Sequence, residues 1–562
     1  MFKTSWLWIA LIFPILSAAQ NEPFVKRTVI SGLNSPWEIT YGPNDSLWVT
    51  ENVAYRVRRV DIASGNSTIL LNLSSAKNFS SGDGGRWPQG GLMGLALHPN
   101  LYSSSEEIRA QKPWVYVAYV YERITGQTCS SNANSPNPCN FRTRIVRYDY
   151  VGNALTNPVV ILDNIPGSND HNSGRLTIGP DLKLYYTVGD LGAGQFNNAS
   201  RTNNAQTLDV MEGKVLRLNT EPDEDGGADN WVPNDNPFYN GTPITPRDYV
   251  YTLGHRNAQG IVWGNVNGTD LLFSSEHGDR TDDEVNILFP GGNYGWNRVS
   301  GACDGNYNGL TLGGFSPVNE TNFCSNTTTE VPLKTLFTVN QSTITGLSGD
   351  YLTWPTVAPS SIDFYKGGLI PGWKNSLLVT CLKAGRVYRL KLNETGTGLL
   401  NISGSDTSSL FRGEGRFRDI AISPNGLKIY LACDASGQTS GPTGSFNGGG
   451  SPPPNAGAIL EFTYVGVILP LNDVPGQTPG IRPDHVKLYP NPTSGMLTVS
   501  IRGNTKPYHI QVYHLSGMLL KEKITTKTET AVDLSDLSAG IYMVQITNAY
   551  GQVIKTEKLV RL

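Results

Sequence analysis

The sequence predicts an all-β chain, a six-bladed β-propeller followed by a small β-sandwich, on three observations. A short apolar strand ending in a polar or acidic residue recurs six times. Each copy is followed by a second strand whose apolar residues alternate. The composition, with 61 Gly, 35 Pro, 25 Tyr and 11 Trp in 562 residues and only 16% charged residues, is that of a large, turn-rich, aromatic-rich β protein. Units of this kind, with insertions of variable length, close radially and leave few exposed strand edges. The competing arrangements are a pair of β-sandwiches and a β-helix.

Taken in order, residues 1–19 read as a signal peptide: Lys3 precedes an apolar run from Trp6 to Leu16, and Ser17 and Ala19 are spaced for cleavage after Ala19. The run is too short to span a bilayer. The propeller is expected over 24–466. Its repeated strands are SLWVTEN at 46, WVYVAYVYE at 114, KLYYTVGD at 183, DLLFSSEHGD at 270, SLLVTCLK at 376 and KIYLACD at 428. Their followers are YRVRRVD, RIVRYDY, KVLRLN, DEVNILF, RVYRLKL and ILEFTY. Six cysteines suit disulfides in an exported chain, with Cys129–Cys139 and Cys303–Cys324 the natural local pairs. Residues 467–484 form a Pro/Gly-rich linker, and 485–562 read as a small β-sandwich of alternating strands and hairpin turns.

With a formal net charge of −3 and no basic run, neither nucleic acid nor an anionic membrane surface is suggested. The partner expected is a small molecule. His171 lies in a polar turn between strands, directly after Asp170 and nineteen residues before Asp190, a placement that suits a catalytic base. His255, Arg256 and Asn257 stand together at the junction of two units, and a fixed guanidinium and amide suit a developing oxyanion. The stretch 274–296 reads either as a solvated acidic turn or as a hard-cation site. In the second reading Asp283 and Glu284 supply carboxylates, and Gly278, Asp279 and Tyr294 supply backbone carbonyls. Lys383, Arg416 and Arg418 form a cationic group, the two arginines on one face of an extended segment and suited to carboxylates. Converging at a propeller axis, these groups fit an organic polyanion.

The ordered motifs DHNSGRLTIGPDLKLYYTVGD, GKVLRLN, YTLGHRNAQG, SEHGDRTDDEVNI, GGNYGW, WPTVAPSS and GRFRDI resemble those of the soluble quinoprotein glucose dehydrogenases, six-bladed propellers that depend on calcium and pyrroloquinoline quinone (PQQ). The resemblance implies oxidation of an aldose, glucose by default, at C1 to the lactone, with electrons passed to an external acceptor. It implies His171 as the base, Asp190 as the residue that orients it, and Gln89 and Asp170 as holders of the sugar. Tyr351 and Trp354 would form the apolar wall over the sugar. Arg256 and Asn257 would lie against the quinone, with Thr356, Lys383, Arg416 and Arg418 on its carboxylates and carbonyls. The carbonyls of Gly278 and Asp279 would hold the calcium that bridges to the quinone, and Asp283, Glu284 and Tyr294 a neighbouring structural calcium that supports a homodimer.

The chain departs from that family where Asp279, preceded by His277 and Gly278, replaces a proline. It also departs in the loops after Gly192 and between Cys303 and Tyr351. Two other readings are a secreted propeller that binds sugar or a protein partner without redox chemistry, and a calcium-dependent lactonase. The C-terminal module, with YPNP at 489–492, SAGIYMV and the terminal KLVRL, resembles the sorting domain of the type IX secretion system; the competing reading is a carbohydrate-binding or adhesion module. The resemblance implies passage across the outer membrane and a secreted or cell-surface protein.

Overall fold

The computed structural model describes residues 23–79, 88–124, 138–223, 231–241, 243–402, 404–444, 452–466, 486–501, 508–514, 519–548 and 553–562. The expected signal peptide, the linker and Cys129 lie outside the described residues. Cys303 and Cys324 are bridged, Cys139 is disulfide-bonded, and Cys381 and Cys433 are buried thiols.

Each of the six repeated segments forms the second strand of a four-stranded antiparallel sheet. The first sheet runs outward through Pro36–Gly42, Ser46–Glu51, Arg56–Asp61 and Ser67–Asn72. The next four open on Leu92–Leu97, Leu176–Ile178, Ala258–Val266 and Pro359–Tyr365. The last opens on Phe417–Ile422 and is completed from the other end of the chain: Phe24–Ile30 pairs with Ile459–Tyr464 as its outermost strand. Opening strands of successive sheets pack on one another, and the last packs on the first, so the sheets form a closed ring. This is a β-propeller. Its second strands are covered on both faces, and Ser46–Glu51 and Ser376–Cys381 are buried along their whole length. That is why they read as continuous apolar runs while their followers alternate.

Large apolar side chains fill the spaces between sheets; Trp37, Trp48, Tyr55, Leu92 and Val117 form one such cluster between the first two. The axis is polar. Arg175, just before the opening strand of the third sheet, is fully buried there. Its Nη1 lies 2.7 Å from Glu38 and 3.0 Å from Asp419, its Nε donates to the Gln259 carbonyl at 2.8 Å, and its Nη2 to the Ser360 carbonyl at 2.9 Å. One guanidinium thus ties together the first, third, fourth, fifth and sixth sheets.

The C-terminal residues form two further sheets. Val486–Tyr489, Met496–Ile501 and Glu529–Asp533 make one; Leu519–Thr525, Tyr508–His514, Gly540–Asn548 and Val553–Arg561 make the other. Alternate residues such as Leu497, Val499, Ile510, Val512, Val544 and Ile546 are buried in a common core, the period of two expected of sheets with one solvated face.

Removing Arg175 leaves the buried carboxyl groups of Glu38 and Asp419 without their shared partner. Arg175→Met is expected to destabilise the propeller by about 3–5 kcal/mol. Urea unfolding followed by tryptophan fluorescence measures this without interference from the C-terminal module, since residues 486–562 contain no tryptophan.

Candidate active site

A cavity of about 480 Å³ occupies one end of the axis and draws its walls from loops far apart in sequence. At its edge His171 is buried in a left-handed backbone conformation, φ 49°, which turns its ring inward. Its Nδ1 lies 2.8 Å from Asp190 Oδ1. Asp190 also accepts from the Gly192 amide at 2.9 Å, the Trp296 indole at 2.8 Å and the Asn203 amide at 3.3 Å. A carboxylate can only accept from the ring, so Nδ1 carries the proton and Nε2 presents a lone pair to the cavity. Three backbones meet behind the pair: Asp190 N donates to Arg256 O at 2.7 Å, and Leu191 N to His171 O. Gly189 must be glycine there, because a Cβ would stand 1.9 Å from the His171 carbonyl oxygen.

The sugar-side residues expected from the sequence are grouped around this base. Gln89 donates to Asp170 at 3.1 Å, and Tyr351 and Trp354 line the mouth, Tyr351 half exposed. Sequence reasoning missed Gln195, from the loop after Gly192. Its amide nitrogen lies 2.8 Å from Asp170 Oδ2 and 3.0 Å from His171 Nε2, while its oxygen accepts from Arg256 Nη2 at 2.7 Å. Only the altered length of that loop hinted at it.

Four cations wall the rest of the cavity. Arg256 is buried over the Trp296 ring, and its Nε has no hydrogen-bond partner among the described residues. Asn257 accepts from Ser173 at 3.2 Å and leaves its own amide nitrogen likewise unpartnered. Lys383 donates to the carbonyls of Trp354 and Thr356 and, at 3.1 Å, to the Thr356 hydroxyl. Arg416 and Arg418 do share a face, but their fork already holds a carboxylate of the protein: Asp434 Oδ2 lies 3.3 Å from Arg416 Nε and 2.8 Å from Arg418 Nη2. Arg418 also donates to Gln259 at 2.8 Å, and its Nε finds no partner among the described residues. Asp434 follows the last repeated strand and was legible as a strand end, not as a partner.

The segment read as a cation site divides in two. Gly278 and Asp279 line the cavity, and Gly278 must be glycine because a Cβ would meet the Thr281 carbonyl at 2.0 Å. Asp283 also lines the cavity, but its carboxylate accepts from the backbone amides of Gly278, Val357 and Ala358, so it shapes the turn. Glu284 and Tyr294 are not gathered with it. Residues 283 and 284 are adjacent in the strand Asp283–Ile287 and face opposite sides of the sheet. Glu284 accepts from Asn286 and Gly301, and burial, reinforced by Glu276, raises its pKa well above the carboxylate range. Tyr294 donates to the Ile287 carbonyl and stacks on His255. Among the described residues, no three His, Cys, Asp or Glu side chains are grouped to hold a metal ion. A cation here would rely on carbonyl oxygens.

Unpartnered nitrogens on Arg256 and Arg418, both buried on the wall of this cavity, fit a planar organic polyanion carrying carbonyl and carboxylate oxygens; Asn257 stands next to Arg256 in the chain but is not among the residues that line the cavity. His277, also on the cavity wall, has a buried Nε2 with no partner among the described residues; burial and then His171 and the arginines hold its pKa well below the ordinary histidine value.

Residues 33–329 and 334–440 match the Glucose / Sorbosone dehydrogenase family, and 487–560 match the Secretion system C-terminal sorting domain. The chain is 34% identical over 484 residues to quinoprotein glucose dehydrogenase B of Acinetobacter calcoaceticus, covering 79% of this chain and 92% of the relative. A crystal structure of a putative oxidoreductase (glucose dehydrogenase) from Thermus thermophilus superposes with a TM-score of 0.50 at 27% identity, over 78% of this chain and 99% of that one. The apo form of the soluble aldose sugar dehydrogenase of Escherichia coli shares the fold, with a TM-score of 0.52 at 20% identity over 79% of this chain and 100% of that one.

Burial lowers the Lys383 pKa to about 8. Below that pH the cavity binds an anion with the ammonium already formed; above it, binding must first take up a proton. Affinity for a tricarboxylate such as citrate is therefore expected to be flat up to about pH 8 and to fall about tenfold by pH 9. Calorimetric titration checks this, and Lys383→Met is expected to bind more weakly with no such pH dependence.

Proposed function

The chain belongs to the Glucose / Sorbosone dehydrogenase family, and we propose that it oxidises an aldose at C1 to the lactone, with PQQ and calcium. The observation that carries this reading is the His171–Asp190 pair, 2.8 Å apart, with His171 Nε2 turned toward a cavity walled by Arg256, Lys383, Arg416 and Arg418. Arg416 and Arg418, with Lys383 and Thr356, would hold the carboxylates of PQQ. Arg256 and Asn257 would hold its carbonyl side, and the carbonyl oxygens of Gly278 and Asp279 the calcium. When bound, PQQ would supply the hydride acceptor for C1, and calcium a Lewis acid that polarises the quinone.

The chain's own part is positional and acid–base. Gln89, Asp170 and Gln195 seat the sugar with its C1 hydroxyl at His171 Nε2, which means that the hydroxyl takes the place of the Gln195 amide there. Nε2 accepts the hydroxyl proton as the C1–H bond breaks and C1=O forms. Asp190 holds the ring in the tautomer that makes this transfer available and stabilises the imidazolium that results. Tyr351 and Trp354 cover the apolar face of the sugar and exclude water. An external acceptor would be needed to take up the two electrons. The matched sorting domain supports export through the type IX system to the cell surface or beyond it.

Reconstitution with PQQ and calcium is expected to give aldose-dependent dye reduction and a change in the absorbance of the bound quinone on adding sugar. His171→Asn should lower kcat by about 10²–10⁴-fold while quinone binding is retained. Asp190→Asn should lower kcat with little change in KM. A protein that binds the quinone stoichiometrically yet reduces no dye across an aldose panel, or a fully active His171→Asn, would refute the proposal.

A further inference from the structure

A second polar cavity, about 390 Å³, lies between the segments 199–203, 297–298 and 313–315. It is lined by Arg201 and Arg298, and no Asp or Glu among the described residues lines it. Among those residues, the partners of both arginines are neutral. Arg201 Nη2 donates to Asn140 at 2.6 Å and to the Cys139 carbonyl at 3.3 Å, and its Nε lies 3.4 Å from Asn198. Arg298 Nη1 donates to Asn297 at 2.7 Å, and the guanidinium lies 3.5 Å above the Phe315 ring. Arg201 Nη1 and the Nε–Nη2 edge of Arg298 find no acceptor among the described residues. Burial lowers the pKa of both groups; Glu212 and Asp190, outside the pocket, offset this in part for Arg201, and no described residue offsets it for Arg298.

Stacking fixes the plane of Arg298 and leaves one two-donor edge free, the geometry that takes a carboxylate, sulfate or phosphate side-on. We propose that this pocket binds a small molecule bearing such an oxyanion, held on the free edge of Arg298 with Arg201 beside it. The pocket adjoins the catalytic residues. Asn203, on its wall, donates to Asp190 at 3.3 Å, and Gly313, also on its wall, lies against Cζ2 of the Trp296 indole whose Nε1 donates to Asp190. Binding at this pocket does not depend on the sugar-oxidising reading.

The larger cavity also attracts anions, so the test separates the two. Calorimetric titration of the full chain with sulfate is expected to show a site that survives Arg416→Gln/Arg418→Gln and is weakened about tenfold or more by Arg298→Gln. A selenate soak should place anomalous density at Arg298. Gluconate, competing with sulfate in the double variant, tells the sources apart: competition assigns a sugar acid, and sulfate binding without it assigns a free oxyanion. Unchanged sulfate binding in Arg298→Gln, or selenate confined to the Arg416–Arg418 cavity, overturns the proposal. Melting temperature, expected to match wild type for Arg298→Gln, separates loss of the site from loss of the fold.

Discussion

The buried charge cluster on the axis, Arg175 with Glu38 and Asp419, is the constraint from which the rest of the propeller follows. A ring of sheets leaves its opening strands facing a narrow channel, and the backbone groups exposed there need partners. Arg175 supplies them to strands of several sheets at once. One guanidinium between two carboxylates would leave an excess negative charge. Burial resolves it by raising the Glu38 pKa to about 8, against the pull of Arg175, so that the cluster is close to neutral at neutral pH. Gln259 gives its carbonyl to Arg175 and its side chain to Arg418, so the floor of the catalytic cavity is built on the arginine that holds the ring.

Above that floor the protein accepts the cost of burying positive charge that its own carboxylates balance only in part. Lys383 is buried against carbonyl and hydroxyl oxygens, Arg256 has an orphaned nitrogen, and Asp434 balances only part of the charge of Arg416 and Arg418. Arg217, by contrast, is matched by Asp181 and Asp235. A core free of function would replace such incompletely balanced cations with apolar groups. Their concentration at the end of the axis where His171 lies is the mark of a site built for a charged guest.

Much of this was legible because it is local. Strand alternation, turn residues and the Cys303–Cys324 pair are written within short windows, and the six repeated segments proved to be second strands of sheets. His171 stood out beside Asp170 and close to Asp190 in sequence. What stayed hidden is long-range. Phe24–Ile30 pairs with a strand more than four hundred residues away, and nothing within its seven residues announces the partner. Gln195 and Gln259 act through contacts with distant segments, and Asp434 through arginines at the neighbouring strand of its own sheet. The acidic run at 282–284 is different, since its alternation was in view. In a strand, neighbouring carboxylates cannot face one ion, and Asp283 instead accepts backbone amides that hold the Gly278 turn in shape.

The base and its partner are fixed more by backbone than by side chains. His171 and Leu191 both sit at positive φ, at 49° and 61°, and each bends its segment toward the other. Asp190 N meets Arg256 O, and Arg256 N meets the carboxylate of Glu276, which also holds His255 at 2.9 Å. Base, orienting carboxylate and guanidinium therefore form one backbone unit spanning two sheets. A displacement of any one of them moves the other two. This explains the demand at Gly189, where the smallest side chain would drive His171 and Arg256 apart. It also explains how a loop histidine, mobile in most settings, is held here in one orientation by backbone and carboxylate together. Preorganisation of this kind lets a neutral imidazole serve as a base without reorganising at the moment of proton transfer.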